Sequence, residues 1–498
     1  MTTWLPLQSP VRHSVFTPRQ KAFIVTIASI AALFSPLTAN IYFPALNRVA
    51  NDLHVSTEQI NLTVTAYMIF QGIAPTFWGS LTDRVGRRPV YIFTFLVFIV
   101  ASVGCALANV YWLLLVLRML QATGSASVVA IGSGTISDIS TPAERAGNMG
   151  FFAVGLYAGP AIGPFLGGVL TEGLGWRSLF WFLVITGSLY TIVLICFLPE
   201  TMRKKVGNGS HQSSSKWKLP LMYSLHIVKM PAPEGPLPPP QKKYMNPLRS
   251  VLILKEKDVF LILFFNAIIY TSYYTITSST TQLFASAYNL NSLQIGLCFL
   301  ANGIGAMGGS VVRGKLMDRS YRLQREKWQR RRTEEGGEKD YDDNDISTFN
   351  VERTRLKSLP YYYFLNIGTT IAYGWFVQYR IHLAAPVIMQ FFIGLSSTSI
   401  FGITNTMIMD IYPSNAASAI ATNNLTRCLM GAAGVALIDK ILQALNGPGW
   451  TFTMIALICL ATFPMPLAEY RWGFKWRAER ATRLEEKSKE KDGERKTE

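Results

Sequence analysis

Two arginines, Arg118 and Arg427, stand inside long apolar stretches of this 498-residue chain. A guanidinium stays charged at any physiological pH and presents its donors in a rigid fork. Holding one at membrane depth costs at least about 2.5–3.5 kcal/mol, so each is expected to face a cavity and to have a task there. The chemistry such a group offers is bidentate, charge-assisted binding of a carboxylate or phosphate. It cannot release a proton near neutral pH, but it can tune a neighbouring carboxyl group or fix helix packing through backbone carbonyls. Gln121 follows Arg118 by one helical turn. Asn40, Gln71, Asn266, Tyr270, Tyr273, Tyr274 and Gln390 also fall inside apolar stretches. As a group they could line a mixed polar and aromatic cavity; singly, each reads more readily as a packing residue. No Asp, Glu or His lies near the middle of an apolar stretch. Glu58, Glu172 and His382 fall near one set of ends, and Asp83, Asp138, Asp318 and Asp410 near the other. Two deep arginines without a central carboxylate suit an anion better than a cation.

A second set of residues marks the ends of the stretches. Gly79-Ser80-Leu81-Thr82-Asp83-Arg84 leads into Gly86-Arg87-Arg88, and Gly314-Lys315-Leu316-Met317-Asp318-Arg319 repeats its first part. Ser137-Asp138-Ile139-Ser140-Thr141-Pro142 is likewise echoed by Met409-Asp410-Ile411-Tyr412-Pro413. These echoes point to two related halves. A carboxylate such as Asp83 at a helix end can hold the positive N-terminus of a neighbouring helix. Arg84 and Arg88 are expected to pair with Asp138, the alternative being that the basic residues anchor to lipid headgroups. Gly155, Gly159, Gly163, Gly167 and Gly168 let backbones approach closely. Pro160 and Pro164 among them remove backbone donors and favour a bend. That stretch reads foremost as a packing seam.

The elements that must position these residues are membrane helices. Only 15% of residues are charged, against about 25% in soluble proteins. The net charge is +17, and the basic residues cluster at 84–88, 203–218, 242–257, 313–332 and 471–483, between apolar stretches. This distribution argues against nucleic-acid binding and fits cytoplasmic loops. With about 20 residues needed per crossing, twelve spans are expected: 22–44, 57–81, 89–108, 111–134, 146–170, 179–199, 258–280, 292–314, 360–379, 383–407, 415–437 and 450–469. The fold class is thus an all-α membrane protein with two pseudo-symmetric six-helix bundles, 22–199 and 258–470, and both termini cytoplasmic. Around them lie a tail at 1–21, a proline-rich linker at 200–257, a charged inserted loop at 319–358 and a charged tail at 471–498. The five cysteines form no metal-binding or C-x-x-C pattern, and the N-terminus reads as no cleavable signal peptide. No P-loop, metal cluster or catalytic triad is evident, so no enzyme activity, cofactor or metal is expected. The sequons at Asn61, Asn208 and Asn424 fall in helix or cytosol and are not expected to be glycosylated.

Gly79-x-x-x-Asp83-Arg84-x-Gly86-Arg87-Arg88, Arg118-x-x-Gln121-x-x-Gly124 and Gly155-x-x-x-Gly159-Pro160-x-x-Gly163-Pro164-x-x-Gly167-Gly168 resemble, in order, three motifs of the major facilitator superfamily. Pro36-x-x-x-Asn40-Ile41-Tyr42-Phe43-Pro44, Leu198-Pro199-Glu200-Thr201 and Asn423-Asn424-Leu425-Thr426-Arg427-Cys428 are similar to its twelve-span drug:proton antiporters, in the fungal quinidine-resistance-like branch. The resemblance implies export of a drug, toxin or secondary metabolite by alternating access, with proton antiport, from a fungal plasma membrane. It implies a cytoplasmic gate in which Asp83 meets helix eleven, a role for Arg118 in proton coupling, and a monomer in the bilayer whose partners are a small-molecule substrate and protons. Two alternatives stay open: an organic-anion exporter built on Arg118 and Arg427, and a non-transporting sensor with the same fold.

Overall fold

The structure, a computed structural model, describes residues 14–211, 220–221, 254, 256–334, 350–411 and 416–497. Among these residues the long elements are all helices: α1 Pro18–Asn40, α2 Thr57–Val85, α3 Arg87–Leu107, α4 Tyr111–Ile139, α5 Pro142–Leu174, α6 Arg177–Phe197, α7 Lys257–Tyr288, α8 Ser292–Glu334, α9 Leu359–Gln378, α10 Ala384–Ile411, α11 Ala416–Ala444, α12 Pro448–Ala461 and α13 Pro464–Thr497. Eleven of the twelve expected spans have a helix of their own, with ends displaced by a few residues or more; the last, 450–469, is divided between α12 and α13 at Thr462 and Phe463.

Helix ends follow local chemistry. Thr17 with Gln20, Ser56 with Gln59 and Thr141 with Glu144 form reciprocal capping boxes at the starts of α1, α2 and α5. These satisfy amide groups that a helix start leaves open. Lys21 Nζ donates to Glu144 Oε2 at 2.8 Å, tying the start of α1 to that of α5. The hydrogen bonds from Lys21 and from the Thr141 backbone hold the Glu144 carboxyl below its ordinary range.

The chain divides into two compact units, Met1–Pro247 and Leu248–Glu498. Within the first, α1 packs on α5, α2 on α4, and α3 on both α4 and α6. Within the second, α7 packs on α11, α8 on α10, α9 on α10, and α9 on α12. The same pairing recurs position for position, which is the structural form of the echoed motifs. Outward faces carry large apolar residues such as Val100, at 65% exposure, Phe93, Leu189, Ile304 and Leu457. Water would penalise such faces; lipid does not.

Nine of the described helical stretches are both long and apolar enough to cross a bilayer. α2, α9 and α11 fall short in apolarity, not in length, because they turn polar side chains inward: Asn61 and Gln71 on α2, Asn366 on α9, Thr422 and Asn423 on α11. Asn61 is buried on α2 and Asn424 lies on α11.

Two expectations about the charged segments change. The insertion expected as a loop from residue 319 begins as helix, since α8 runs on to Glu334; Val351–Leu356 forms another short helix before α9. The charged tail expected from residue 471 is part of α13, and its Arg480 is buried against the second unit. Guanidinium groups with carboxylate partners can be drawn into a bundle in this way. The proline-rich 231–240 stretch lies outside the described residues.

Candidate functional site

In the first unit, Arg118 on α4 is fully buried, at 0% exposure. Its guanidinium lies between the rings of Tyr42 and Tyr67, at 4.5 and 4.4 Å from their centroids. Nη1 donates to Gln121 Oε1 at 2.7 Å, and Gln121 Nε2 donates to Ser102 Oγ on α3 at 2.9 Å. The Tyr67 and Ser125 hydroxyls share a hydrogen bond of 2.8 Å. Arg118 Nε and Nη2 have no hydrogen-bond partner, and no carboxylate pairs with Arg118 among the described residues. Two aromatic faces and one amide therefore fix the plane of the cation while one edge of its fork stays unmatched. A polar group buried in that state costs about 1–3 kcal/mol, more when charged. Gln121 links Arg118 to Ser102, with both ends of its amide hydrogen-bonded. Asn40 Nδ2 donates to the Pro36 carbonyl at 2.6 Å and Gln71 Nε2 to Ser35 Oγ at 3.3 Å, both within the unit.

In the second unit, Arg427 on α11 is half-buried. Its Nε and Nη2 donate to Asn424 Oδ1 at 3.3 and 2.9 Å, and it lies 5.0 Å from the Tyr270 ring centroid. Tyr270 and Tyr274 have centroids 4.5 Å apart, and Phe401 on α10 lies 5.7 Å from Tyr270 and 6.3 Å from Tyr273. Tyr273 donates to Asn302 Oδ1 on α8 at 2.7 Å. Asn266 joins a chain across three helices: its Nδ2 donates to Asn423 Oδ1 at 2.8 Å, and its Oδ1 accepts from Thr404 Oγ1 at 2.9 Å. Gln390 Nε2 donates to Thr280 Oγ1 at 3.1 Å while its buried Oε1 has no hydrogen-bond partner. The sequence candidates of this unit thus come together around α7, α10 and α11.

At one end of each unit the echoed turns build paired sites. Arg87, not Arg84 or Arg88, pairs with Asp138: Nε donates to Oδ2 at 3.0 Å and Nη1 to Thr82 Oγ1 at 2.6 Å. Arg84 is exposed, and Arg88 Nη2 donates to the Ile195 carbonyl at 2.9 Å. The reason lies in Gly86, whose φ of +110° turns the chain from α2 into α3 and points Arg87 at α4. Glu200 occupies the space that a side chain there would need, since an added Cβ would lie 2.3 Å from its Oε2. Glu200 Oε1 accepts the amides of Arg87, Thr201 and Met202 at 2.9, 3.1 and 3.0 Å. It therefore caps the positive start of α3. Gly79 lies on α2, where its carbonyl accepts from Thr82 Oγ1 at 2.7 Å.

The second unit repeats the pair with different residues: Arg355 Nε donates to Asp410 Oδ2 at 2.8 Å. Sequence reading missed Arg355 because the insertion separates it from Asp318-Arg319. Its position shortly before α9, matching Arg87 at the start of α3, was the available signal. Arg319 is exposed on α8. The side chains of Asp83 and Asp318, and residues 412–415 where Asp83 was expected to meet helix eleven, lie outside the described residues.

The glycines of α5 form a seam against α1. An added Cβ would lie 2.1 Å from the Ser29 carbonyl oxygen at Gly155, 2.7 Å from Leu37 N at Gly159, 3.1 Å from Ile41 N at Gly163 and 2.1 Å from the Ile41 oxygen at Gly167. Gly168 and Pro164 are buried on the same helix, Pro160 partly so. The seam is backbone on backbone, as the spacing implied.

The family model described as Major Facilitator Superfamily matches residues 28–435. The chain belongs to the major facilitator superfamily. It is a membrane transporter of small molecules, not an enzyme. It is 42% identical over 484 residues to citrate exporter 1 of Aspergillus niger, spanning 96% of this chain and 90% of that protein. It is 34% identical over 460 residues to the MFS antiporter QDR2 of Candida albicans, spanning 90% and 88%, in keeping with the drug:proton antiporter-like branch. The crystal structure of the human organic anion transporter MFSD10 aligns at a TM-score of 0.57 and 15% identity, over 91% of this chain and all of that one; at that identity the likeness concerns the fold.

Proposed function

We propose that this protein exports a small organic carboxylate by alternating access, with Arg118 as the principal anion contact. The carrying observation is the unmatched edge of a fully buried guanidinium. A carboxylate meets that edge with two parallel charge-assisted hydrogen bonds, the geometry in which arginine binds anions most strongly. Tyr42, Tyr67 and Gln121 hold the plane of the fork, so little conformational entropy is lost on binding. Arg427, backed by Tyr270 and Asn424, supplies a second cation in the other unit. The likeness to a citrate exporter supports the same substrate class. The basic ends, where α1 begins and α13 lies, face the cytoplasm of a fungal cell by the positive-inside rule. Proton antiport is the driving exchange, and the Arg87–Asp138 and Arg355–Asp410 pairs belong to the cytoplasmic gate with Gly79, Asp83, Arg84, Gly86, Asp318 and Arg319.

The test is flux from proteoliposomes loaded with citrate, other di- and tricarboxylates, or a cationic dye, with and without a pH gradient. Carboxylate efflux that Arg118→Ala cuts by about tenfold or more is the expected result. Dye efflux without carboxylate efflux would overturn the reading. A second reading rests on the cluster of Tyr270, Tyr273, Tyr274 and Phe401, which suits a planar apolar drug or secondary metabolite. The likeness to an MFS antiporter supports it. It requires flux of such compounds that survives Arg118→Ala and falls in Tyr270→Ala.

A further inference from the structure

Carboxyl groups are gathered where the transport chemistry does not call for them, at the end of the second unit where α7 begins. Asp258 opens α7, Glu352 lies on the short helix Val351–Leu356, and Glu469 lies on α13. All three are buried, Glu352 and Glu469 completely. α13 also brings in Arg477 and Arg480. Arg480 Nη1 pairs with Asp258, and its Nη2 donates to the Ile411 carbonyl at 3.2 Å. Arg477 Nε lies 3.0 Å from Glu352 Oε1, off the line of a hydrogen bond. Glu469 has no ion pair among the described residues, and neither of its oxygens has a hydrogen-bond partner. One turn further along α13, Gly473 leaves room for the carboxyl groups to approach: an added Cβ would lie 2.6 Å from Glu469 Oε1 and 3.0 Å from Glu352 Cγ.

Among the described residues the other charges facing the cluster are few. α10 contributes Asp410, which is held by Arg355 of the short helix. Arg353 turns outward to the Tyr470 carbonyl and ring. Lys475 with Glu479 and Arg483 with Glu256 form pairs on the exposed side of α13, and Lys257 is exposed. α8 offers the uncharged Gln324, which accepts from Thr354. No histidine adjoins the cluster among the described residues. Among the described residues, three buried carboxyl groups, Asp258, Glu352 and Glu469, thus face two guanidinium groups, Arg477 and Arg480, while the partly exposed Asp410 and its partner Arg355 add no net charge. With every group ionised the cluster carries one surplus negative charge away from water. Like charges in such a site cannot all ionise near neutral pH.

We propose that this cluster is a proton-binding site: it holds one proton at neutral pH, carried by Glu469 and shared with Glu352. The bound proton balances the cluster and gives one Glu469 oxygen a donor toward its neighbour. Burial also pushes the Glu352 carboxyl above its ordinary range, with Arg477 pulling it down; in a shared site the proton belongs to the pair. The site is separate from Arg118 and Arg427, and the inference does not depend on which substrate is moved.

Infrared titration of the purified full-length protein tests it without any transport assay. Wild type should show a protonated-carboxyl C=O band at neutral pH that disappears on alkaline titration. Glu469→Gln should lose that band, while Glu144→Gln, which changes an exposed carboxyl, should keep it. Thermal unfolding gives a second readout. A proton bound more tightly in the folded than the unfolded state makes stability fall as pH rises from neutral toward alkaline, until the folded-state site is empty. Glu469→Gln should flatten that fall. If Glu469→Gln does not fold, Glu352→Gln should lower the pH at which the wild-type band titrates. A wild type with no alkaline-titrating carboxyl band, or a band unchanged in both variants, overturns the proposal.

Discussion

Arg118 shows how much one residue's surroundings decide. Exposed, a guanidinium would be hydrated and unremarkable; between Tyr42 and Tyr67, with Nη1 held by Gln121, its plane is fixed as the proposed anion contact requires. A charge-assisted hydrogen bond contributes about 1.5–3 kcal/mol, so Arg118→Ala should cut carboxylate efflux by roughly ten- to a hundredfold. Arg118→Lys should rescue little, because an ammonium lacks the planar fork and stacks less well on the rings. Efflux in proteoliposomes at matched protein content is the measurement, and a lysine variant with wild-type flux would count against the fork. Gln121→Leu should raise the KM for the carboxylate more than it lowers the maximal rate, since Gln121, itself held by Ser102, fixes the orientation of the guanidinium.

Among the elements, α5 and the paired turns invite opposite experiments. Gly155 and Gly167 meet the α1 backbone, so Gly155→Ala should cost about 1–3 kcal/mol through overpacking. Gly150→Ala has open space around it and should be neutral. Thermal unfolding of the purified variants separates the two. For the turns, Arg87 with Asp138 and Arg355 with Asp410 should behave as coupled pairs, with interaction energies of about 0.5–3 kcal/mol in double-mutant cycles. Additive single and double mutants would show that these contacts carry no energy. Asp83→Asn should sharply reduce transport while leaving surface expression intact; full transport would remove Asp83 from the gate.

At the scale of the whole molecule, the orientation proposed from charge distribution can be read by labelling. Glu172 lies at the end of α5 opposite the paired turns and Arg319 closes the echoed Asp-Arg motif on α8; both are exposed. The native cysteines are buried except the partly buried Cys196. An impermeant maleimide should therefore label Glu172→Cys on intact cells and Arg319→Cys only after permeabilisation. The reverse pattern would invert the proposed topology and turn export into import. An imposed pH gradient should accelerate carboxylate efflux if proton antiport drives it, and leave efflux unchanged if the transporter is a uniporter.

The sequence by itself determined the twelve helices, the duplication and the glycine seam, because each is written locally. Apolar length sets a span, an echoed Gly-x-x-x-Asp-Arg turn marks a copy, and a four-residue glycine period lies on one helix face. It also singled out Arg118, since a charge in hydrocarbon is anomalous wherever it points. Partnership was decided only by the tertiary structure. Arg87 displaced Arg84 and Arg88 as the mate of Asp138 because Gly86 sets the chain direction by a backbone angle that no composition records. Arg355 emerged as the matching residue only once folding had brought the short helix before α9 to Asp410. The charged tail looked solvated because tails with such composition usually are; Arg477 and Arg480 instead turn inward, toward carboxyl groups more than a hundred positions away. Charge is legible along a chain, but whether it meets water or an opposite charge depends on contacts that only the folded molecule makes.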